Sequence, residues 1–310
     1  MSLLTNVDQI ILTYGNEEFL KKFAKKGSET DIRYYNQRIN GANITYLNPF
    51  KFPERIQPLL NAASVSKKAI ISIENLDKNV GELLLAIDYS EIKHLGIIGN
   101  DEVYETLKKI TKGIDVSLTP LQEDLGSIEN FISIDVGEGK GNAMVAVDQS
   151  FQVKGVGTVI LGFVIKGEIK KHMNMKAYPS GKNVEIRSIQ IMDVDYESAK
   201  PFSRVGLAVK NVEPEDVSKG TLLFDVDEIE MSDSTRMKVR INGAIKNKPQ
   251  LGEKIQINFL FNNINAEVSD ISEESYLIDT DRKIPIIDTN YIISSLNSVP
   301  RISGVGKAGD

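Results

Sequence analysis

Residues 148–162 read DQSFQVKGVGTVILG, and this stretch decides how the rest of the chain is understood. Polar and apolar residues alternate through Phe151 and Val153, a Gly155-Val156-Gly157 step follows, and the β-branched run Thr158-Val159-Ile160 leads away. Alternation suits a half-buried strand, and glycine takes positive φ without steric cost. The stretch therefore predicts a strand, a sharp turn and a returning strand, one corner of a small β-barrel.

Toward the C-terminus the same texture persists. Short β-rich runs recur at Val184–Ile191, Val205–Val209, Met237–Ile241, Lys254–Phe261 and Ser275–Ile278, punctuated by Gly, Asn and Pro, with almost no helical periodicity. Regular short strands of this kind predict barrels. A division near Phe224 gives two of them, 143–223 and 224–310, the second ending in a flexible C-terminal tail from Pro300.

Toward the N-terminus the period changes. Asp135–Asn142 (DVGEGKGN) reads as a linker, and before it apolar runs at 10–14, 44–47, 69–74, 94–99 and 114–118 are separated by helical patterns at 16–26, 54–64, 81–89, 103–111 and 124–132. Strands alternating with helices predict an α/β domain with a parallel sheet over residues 1–142. The fold class is α/β plus all-β.

Composition removes several functions. The chain has no Cys and only His94 and His172, which excludes disulfides, thiol nucleophiles and Cys-ligated zinc and leaves little for a histidine metal site or a Ser-His-Asp triad. No stretch approaches the ~20 apolar residues of a spanning helix, so the expectation is a cytoplasmic protein without a membrane partner. A formal charge of −6 argues against general coating of nucleic acid, DNA included, although a local basic face remains compatible with it.

VKGVGTVILG followed by Lys166-Gly167-Glu168-Ile169 resembles the opening of the second domain of translational GTPases, the family of elongation factor Tu, and is nearest to its selenocysteine-specific elongation factor branch. The similarity continues through GKNVEIRSIQ (181–190) and RVGLAVKNVEPEDVSKGTLL (204–223). It implies a GTPase-like α/β domain followed by two barrels of the translation-factor domain II and III type.

That family needs a phosphate loop, G-x-x-x-x-G-K-[ST], whose glycines, lysine and hydroxyl serve phosphate and magnesium. Here the loop after the first strand is Thr13-Tyr14-Gly15-Asn16-Glu17-Glu18-Phe19, with one glycine and two carboxylates at its mouth. Gly139-Lys140, Gly181-Lys182 and Gly306-Lys307 lack the following Ser or Thr and read as solvated turns. By the resemblance, Asn48, Lys51 and Phe52 stand where the magnesium-linked aspartate, the γ-phosphate-sensing glycine and the water-orienting histidine would be. Gly99-Asn100-Asp101-Glu102 replaces the guanine-reading motif, and Leu118-Thr119-Pro120 matches the last base-contacting loop. The expectation is a degenerate GTPase-like domain with no nucleotide, no cofactor, no metal and no hydrolysis. A plain α/β scaffold that never bound nucleotide is the simpler alternative.

Between Val153 and Gln190, Lys154, Lys166, Lys170, Lys171, Lys176, Lys182 and Arg187 face only Glu168 and Glu185. Such a cluster can neutralise phosphates, or it can be a solvated face. In the family the second domain holds the aminoacyl end of tRNA in a pocket, and the resemblance places that pocket near Phe151, Gln190, Met192 and Asp193. The favoured expectation is a non-catalytic, elongation-factor-like protein binding tRNA, the ribosome or other RNA through Phe151, Lys154, Lys166, Lys170, Lys171, Lys176 and Arg187. A protein-interaction adaptor on the same scaffold and a GTP-dependent elongation factor stay open beside it.

Overall fold

A computed structural model describes residues 7–226 and 228–308. The first unit comprises β1 (Gln9–Gly15), α1 (Glu18–Lys21), β2 (Lys25–Glu29), β3 (Arg33–Ile39), β4 (Ala42–Asn48), α2 (Gln57–Val65), β5 (Lys68–Ser72), α3 (Lys78–Asp88), β6 (His94–Ile98), α4 (Asp101–Ile110), β7 (Ser117–Pro120) and α5 (Leu125–Ile132). Its seven-stranded sheet runs β2-β3-β4-β1-β5-β6-β7. The strands from β4 to β7 are parallel, and every residue of β4 and β5 is buried, as a sheet covered on both faces requires. Asp77, Asn100 and Asp124 cap α3, α4 and α5 with their side chains.

Two expectations fail in this unit. The sheet is mixed rather than parallel, because β2, β3 and β4 pair antiparallel. The helix expected over 16–26 is only the turn Glu18–Lys21, and Lys25 already belongs to β2. Phe19 and Leu20 are buried against the sheet, but a four-residue helix without a side-chain cap has little to propagate it, and the next segment gains a ladder with β3 instead. The hairpin between β3 and β4 turns on Asn40-Gly41, both at positive φ, the dipeptide that a two-residue primed turn favours.

The second unit holds β8 (Met144–Val153), β9 (Gly157–Lys166), β10 (Ile169–Lys170), β11 (Asn174–Tyr178), β12 (Asn183–Ile191), β13 (Val194–Tyr196), β14 (Ser198–Ala199), β15 (Arg204–Lys210) and β16 (Leu222–Phe224). Strand order β11-β16-β8-β9-β15-β12-β13, with β11 also on β12, closes a ring, and β10 and β14 form a separate ribbon. The turn from β8 to β9 uses Gly155 at φ 80° and Gly157 at φ 102°, as the sequence requires. The third unit, β17 (Met231–Arg240), β18 (Lys254–Phe259), β19 (Asn262–Ser272), β20 (Ser275–Pro285), β21 (Tyr291–Ser294) and β22 (Ile302–Ala308), is a closed barrel in the order β17-β20-β19-β18-β21-β22. The expected flexible tail is therefore corrected: Ile302–Ala308 completes this barrel on β17 and β21, and residues 309–310 lie outside the described residues.

One apolar cluster runs through all three units, while the first barrel and the first unit each keep a further cluster of their own. Tyr34 of the first, Phe163 of the second and Phe261 of the third stack in a pile with centroid spacings of 6.5 and 5.5 Å. Polar clamps add to it. Arg301 bonds the Glu82 carboxylate on α3 at 2.5–3.2 Å, and Arg240 bonds Asp88 through both carboxylate oxygens at 3.0 and 3.1 Å. Lys68, fully buried, donates to the carbonyls of Phe131, Ile132 and Ile134 and so holds the end of α5 against the sheet.

Candidate functional site

The C-terminal ends of parallel strands form the crevice where α/β sheets bind ligands. Here that crevice begins at Gly15, whose φ is 94° and where a Cβ would lie 1.9 Å from the Ser72 carbonyl oxygen, so only glycine fits between β1 and β5. The Asn16 amide donates to that same carbonyl, and the Asn16 side chain accepts from the Glu18 amide. Glu17 then turns its carboxylate inward. It accepts from Arg33 Nη1 at 2.8 Å and from Asn48 Nδ2 at 3.2 Å. Arg33 is held in turn by Glu29 at 2.9 Å and by the Phe50 ring at 4.0 Å. Burial and the adjacent Glu17 push the Tyr35 hydroxyl up to about 12.

The remaining nucleotide-loop positions have structural partners. Phe52 is buried with its ring 5.5 Å from Tyr14. Asn100 caps α4 by accepting from the Val103 amide, and Asp101 sits in that helix's first turn, where the dipole favours an acid. Leu118, Thr119 and Pro120 lie in the edge strand β7 rather than in a loop. Arg33, which answers Glu17, carried no signal in the sequence.

A second site lies between the β2–β3 edge of the first unit and the first barrel. This cavity of about 560 Å³ is lined on one side by Ser28, Asn36 and Thr45 and on the other by Phe151, Val156, Ser188, Gln190, Met192, Asp193 and Arg204. The four positions that the resemblance singled out, Phe151, Gln190, Met192 and Asp193, thus converge on one cavity. Met192 and Asp193 form the two-residue turn from β12 to β13, at φ 49° and 63°, a conformation uncommon for non-glycine residues and one that aims both side chains from a tight hairpin. Phe151 and Val156 remain 40% and 41% exposed, an apolar wall open to solvent.

Arg204 forms the back of the cavity. Its guanidinium lies 3.8 Å from the centre of the Tyr34 ring and donates to Ser28 Oγ at 2.9 Å and to Asp148 Oδ2 at 3.4 Å. Its Nε is buried without a hydrogen-bond partner, as is Asp148 Oδ1. Burial pushes the Asp148 carboxyl up, against the pull of Arg204. Arg204 heads the quoted RVGLAVKN stretch but was not singled out from it; Ser28, Asn36 and Thr45 left no trace, because they reach the site only through packing of the units.

The basic cluster is divided. Lys154 belongs to the turn that ends at Val156, and Arg187 donates to the Val156 carbonyl at 3.3 Å, so both adjoin Val156, which lines the cavity with Phe151, although neither lines it. Lys170 and Lys171, on and beside the β10–β14 ribbon, pair with Glu168 and Glu197 at 3.3 and 2.5 Å. Lys166 is turned toward the third unit and Asp288, and Lys176 lines a different cavity with Phe224 and Ile229. Lys182 pairs with Asp216 at 2.7 Å.

Comparison with known proteins matches this architecture. Residues 157–224 match the family described as elongation factor Tu domain 2. Over 93% of its length the chain is 29% identical to an uncharacterized protein of Methanocaldococcus jannaschii, of which it covers 94%. It is 25% identical, over 86% of its length, to the selenocysteine-specific elongation factor of the same organism but spans only 62% of that factor. The solved structure of translation elongation factor SelB from Methanococcus maripaludis in complex with the GTP analogue GppNHp superposes with a TM-score of 0.80 at 20% identity, covering 99% of this chain and 80% of that one. A bacterial selenocysteine-specific elongation factor gives 0.80 at 18% identity, covering 97% and 58%. The chain is thus similar to translational GTPases, through residues 157–224 to elongation factor Tu domain 2 and over most of its length to a selenocysteine-specific elongation factor, and it shares the fold of the SelB structures.

Proposed function

We propose that this translation-factor-like protein holds the end of an RNA, with tRNA or ribosomal RNA as the candidates, in the cavity between the β2–β3 edge and the first barrel, and that it does so without binding or hydrolysing GTP. The observation that carries the reading is the convergence of Phe151, Gln190, Met192 and Asp193 on one cavity, with Lys154 next to the lining residue Val153 and Arg187 bonded to the lining residue Val156. An exposed aromatic ring gives a base a face to stack on, and cations at a rim draw phosphate. The reading keeps the protein in the cytoplasm.

The absence of nucleotide chemistry is supported by Glu17, whose carboxylate stands at the crevice mouth and already satisfies Arg33 and Asn48. Phosphoryl transfer rests on positioned cations and metal, and a phosphate entering here meets a carboxylate in place of a lysine. The adaptor reading is favoured by one observation: Lys170, Lys171 and Lys182 are ion-paired, which leaves fewer cations for phosphate.

Filter binding of deacylated and aminoacylated tRNA across a salt series tests the first part. The reading expects binding that weakens with a log–log slope of roughly −0.7 to −0.9 per phosphate neutralised. Phe151→Ala should cost about 1–3 kcal/mol of that affinity. Calorimetric titration with magnesium and GTP or GDP should give no heat; a micromolar dissociation constant for nucleotide, or RNA binding indifferent to salt and to Phe151, overturns the corresponding half.

A further inference from the structure

A cavity of about 500 Å³ lies between the two barrels, away from both sites described above. One wall comes from β11 and the end of β16, the other from the connection to the third unit, the start of β17 and the end of β20. Its surface is apolar over Tyr178, Pro179, Phe224, Val226, Ile229 and Met231. Phe224 is buried, but Tyr178, Val226 and Ile229 are only half-buried, so their packing against the core leaves a face toward the cavity. The Tyr178 hydroxyl donates to the Lys283 carbonyl, which fixes that ring across the junction of the barrels. A volume within the roughly 300–1,000 Å³ of ligand pockets, a mostly apolar lining and a few convergent polar groups mark a small-molecule site.

The polar side chains that line it set the class of ligand. Lys176, Arg282 and Lys283 stand against the single acid Glu228, in a chain whose net charge is −6. Arg282 and Lys283 are exposed, and neither makes an ion pair among the described residues. On the same strand Asp281 accepts from Asn265 and Asp279 from Ser234, while Asp225 and Glu230 of the connection do not line the cavity. The Arg282 charge faces the Tyr178 hydroxyl, where it opposes the burial that pushes this group up to about 12. Among the described lining residues there is no Asn, Gln, Ser or Thr, so apart from the cations nothing is placed to read the edges of a base. The lining asks for an anionic head and a body without polar groups.

We infer that this cavity binds a small carboxylate of the fatty-acid class, its chain against Tyr178, Phe224, Val226 and Ile229 and its head on Arg282 and Lys283. The chain gains by leaving water for an apolar wall, and the planar fork of an arginine matches a carboxylate through two parallel N–H bonds. Bound there, the ligand bridges the two barrels. The inference is independent of the RNA reading, because the cavity shares no lining residue with the one at Arg204.

Isothermal titration of the full chain with dodecanoate, kept below its micelle concentration, tests it. Saturable binding at one site is expected. Dodecyltrimethylammonium, with the same chain and the opposite charge, and acetate, with the charge and no chain, should not bind. Arg282→Glu with Lys283→Glu should weaken dodecanoate at least about tenfold, because its carboxylate then meets like charge. Ile229→Asp should weaken it as much by placing a charge in the apolar wall. Arg282 and Lys283 are exposed, so their double change leaves the fold intact, and an unchanged thermal midpoint checks both variants; Ile229→Ala, with a severalfold loss expected, replaces Ile229→Asp if that midpoint falls. Four outcomes overturn the inference: no saturable binding of dodecanoate; equal binding of the cationic chain, which leaves only an apolar surface; binding indifferent to the variants; or a concentration-dependent dimer that Ile229→Asp dissolves, which assigns the cavity to a second copy.

Discussion

The crevice at Glu17 and the cavity at Arg204 are both lined by a carboxylate and an arginine, yet they differ in how completely the groups answer one another. Glu17, Arg33, Asn48 and Glu29 close a network in which both Glu17 oxygens and both ends of the arginine are bonded. At the second site Arg204 Nε and Asp148 Oδ1 are buried with no partner, and Phe151 and Val156 face solvent. A network whose charges are already paired has less to gain from a ligand, whereas unanswered buried groups carry a standing cost that a partner can relieve. The difference separates a polar network that is closed on itself from one that is left open.

Breaking the open site has the largest expected effect. Arg204→Ala leaves Asp148 buried and uncompensated and should destabilise the protein by about 3–5 kcal/mol, read from urea unfolding. A loss below about 1 kcal/mol would show that water already answers Asp148 and that the contrast is overstated.

The sign of a pH effect sharpens the contrast. The folded-state pKa of Asp148 is raised above its ordinary 3.8 by burial, so its contribution to stability is full below that value and is lost as pH rises through the folded value. Wild type should therefore gain stability relative to Asp148→Asn as pH falls from roughly 7 to 3, followed as the difference in urea midpoints. A difference that stays flat across this range means that Arg204 keeps Asp148 ionised throughout.

The smallest effect is expected at the closed site. Glu17→Ala removes a part-exposed ion pair and an amide contact, and should cost only about 1 kcal/mol in thermal unfolding. It should not create GDP affinity, because the loop still lacks the lysine, hydroxyl and second glycine. GDP binding by this variant would show that the carboxylate alone blocks the crevice.

The barrel corner was legible at residues 148–162 because a glycine turn between β-rich runs is specified locally. The strand and helix alternation of the first unit was equally legible, since β4 and β5, buried along their whole length, carry the adjacent apolar residues Tyr46-Leu47 and Ala69-Ile70-Ile71. The edge hairpin was less so: Asn40-Gly41 announces its turn, but the ladder of β2 on β3 outweighs the helical spacing of Phe19, Phe23 and Ala24. The last strand was missed because Ile302–Ala308 is rich in glycine, and a Cβ at Gly306 would lie 2.8 Å from the Met237 sulfur. Its glycines read as a tail and serve as clearance.

By itself the sequence determined the two textures of the chain, the family-like barrel motif and the residues Gly15-Asn16-Glu17-Glu18 where a G-x-x-x-x-G-K-[ST] pattern would stand, all of which depend on neighbouring residues and on the types present. Only the tertiary structure decided which charges meet. Glu17 finds Arg33 across a hairpin, Arg204 finds Ser28 and Asp148 across two units, and Lys170 and Lys171 are neutralised by Glu168 and Glu197. Electrostatic energy depends on separation and burial rather than on distance along the chain, so a cluster counted in sequence says little about a face in space.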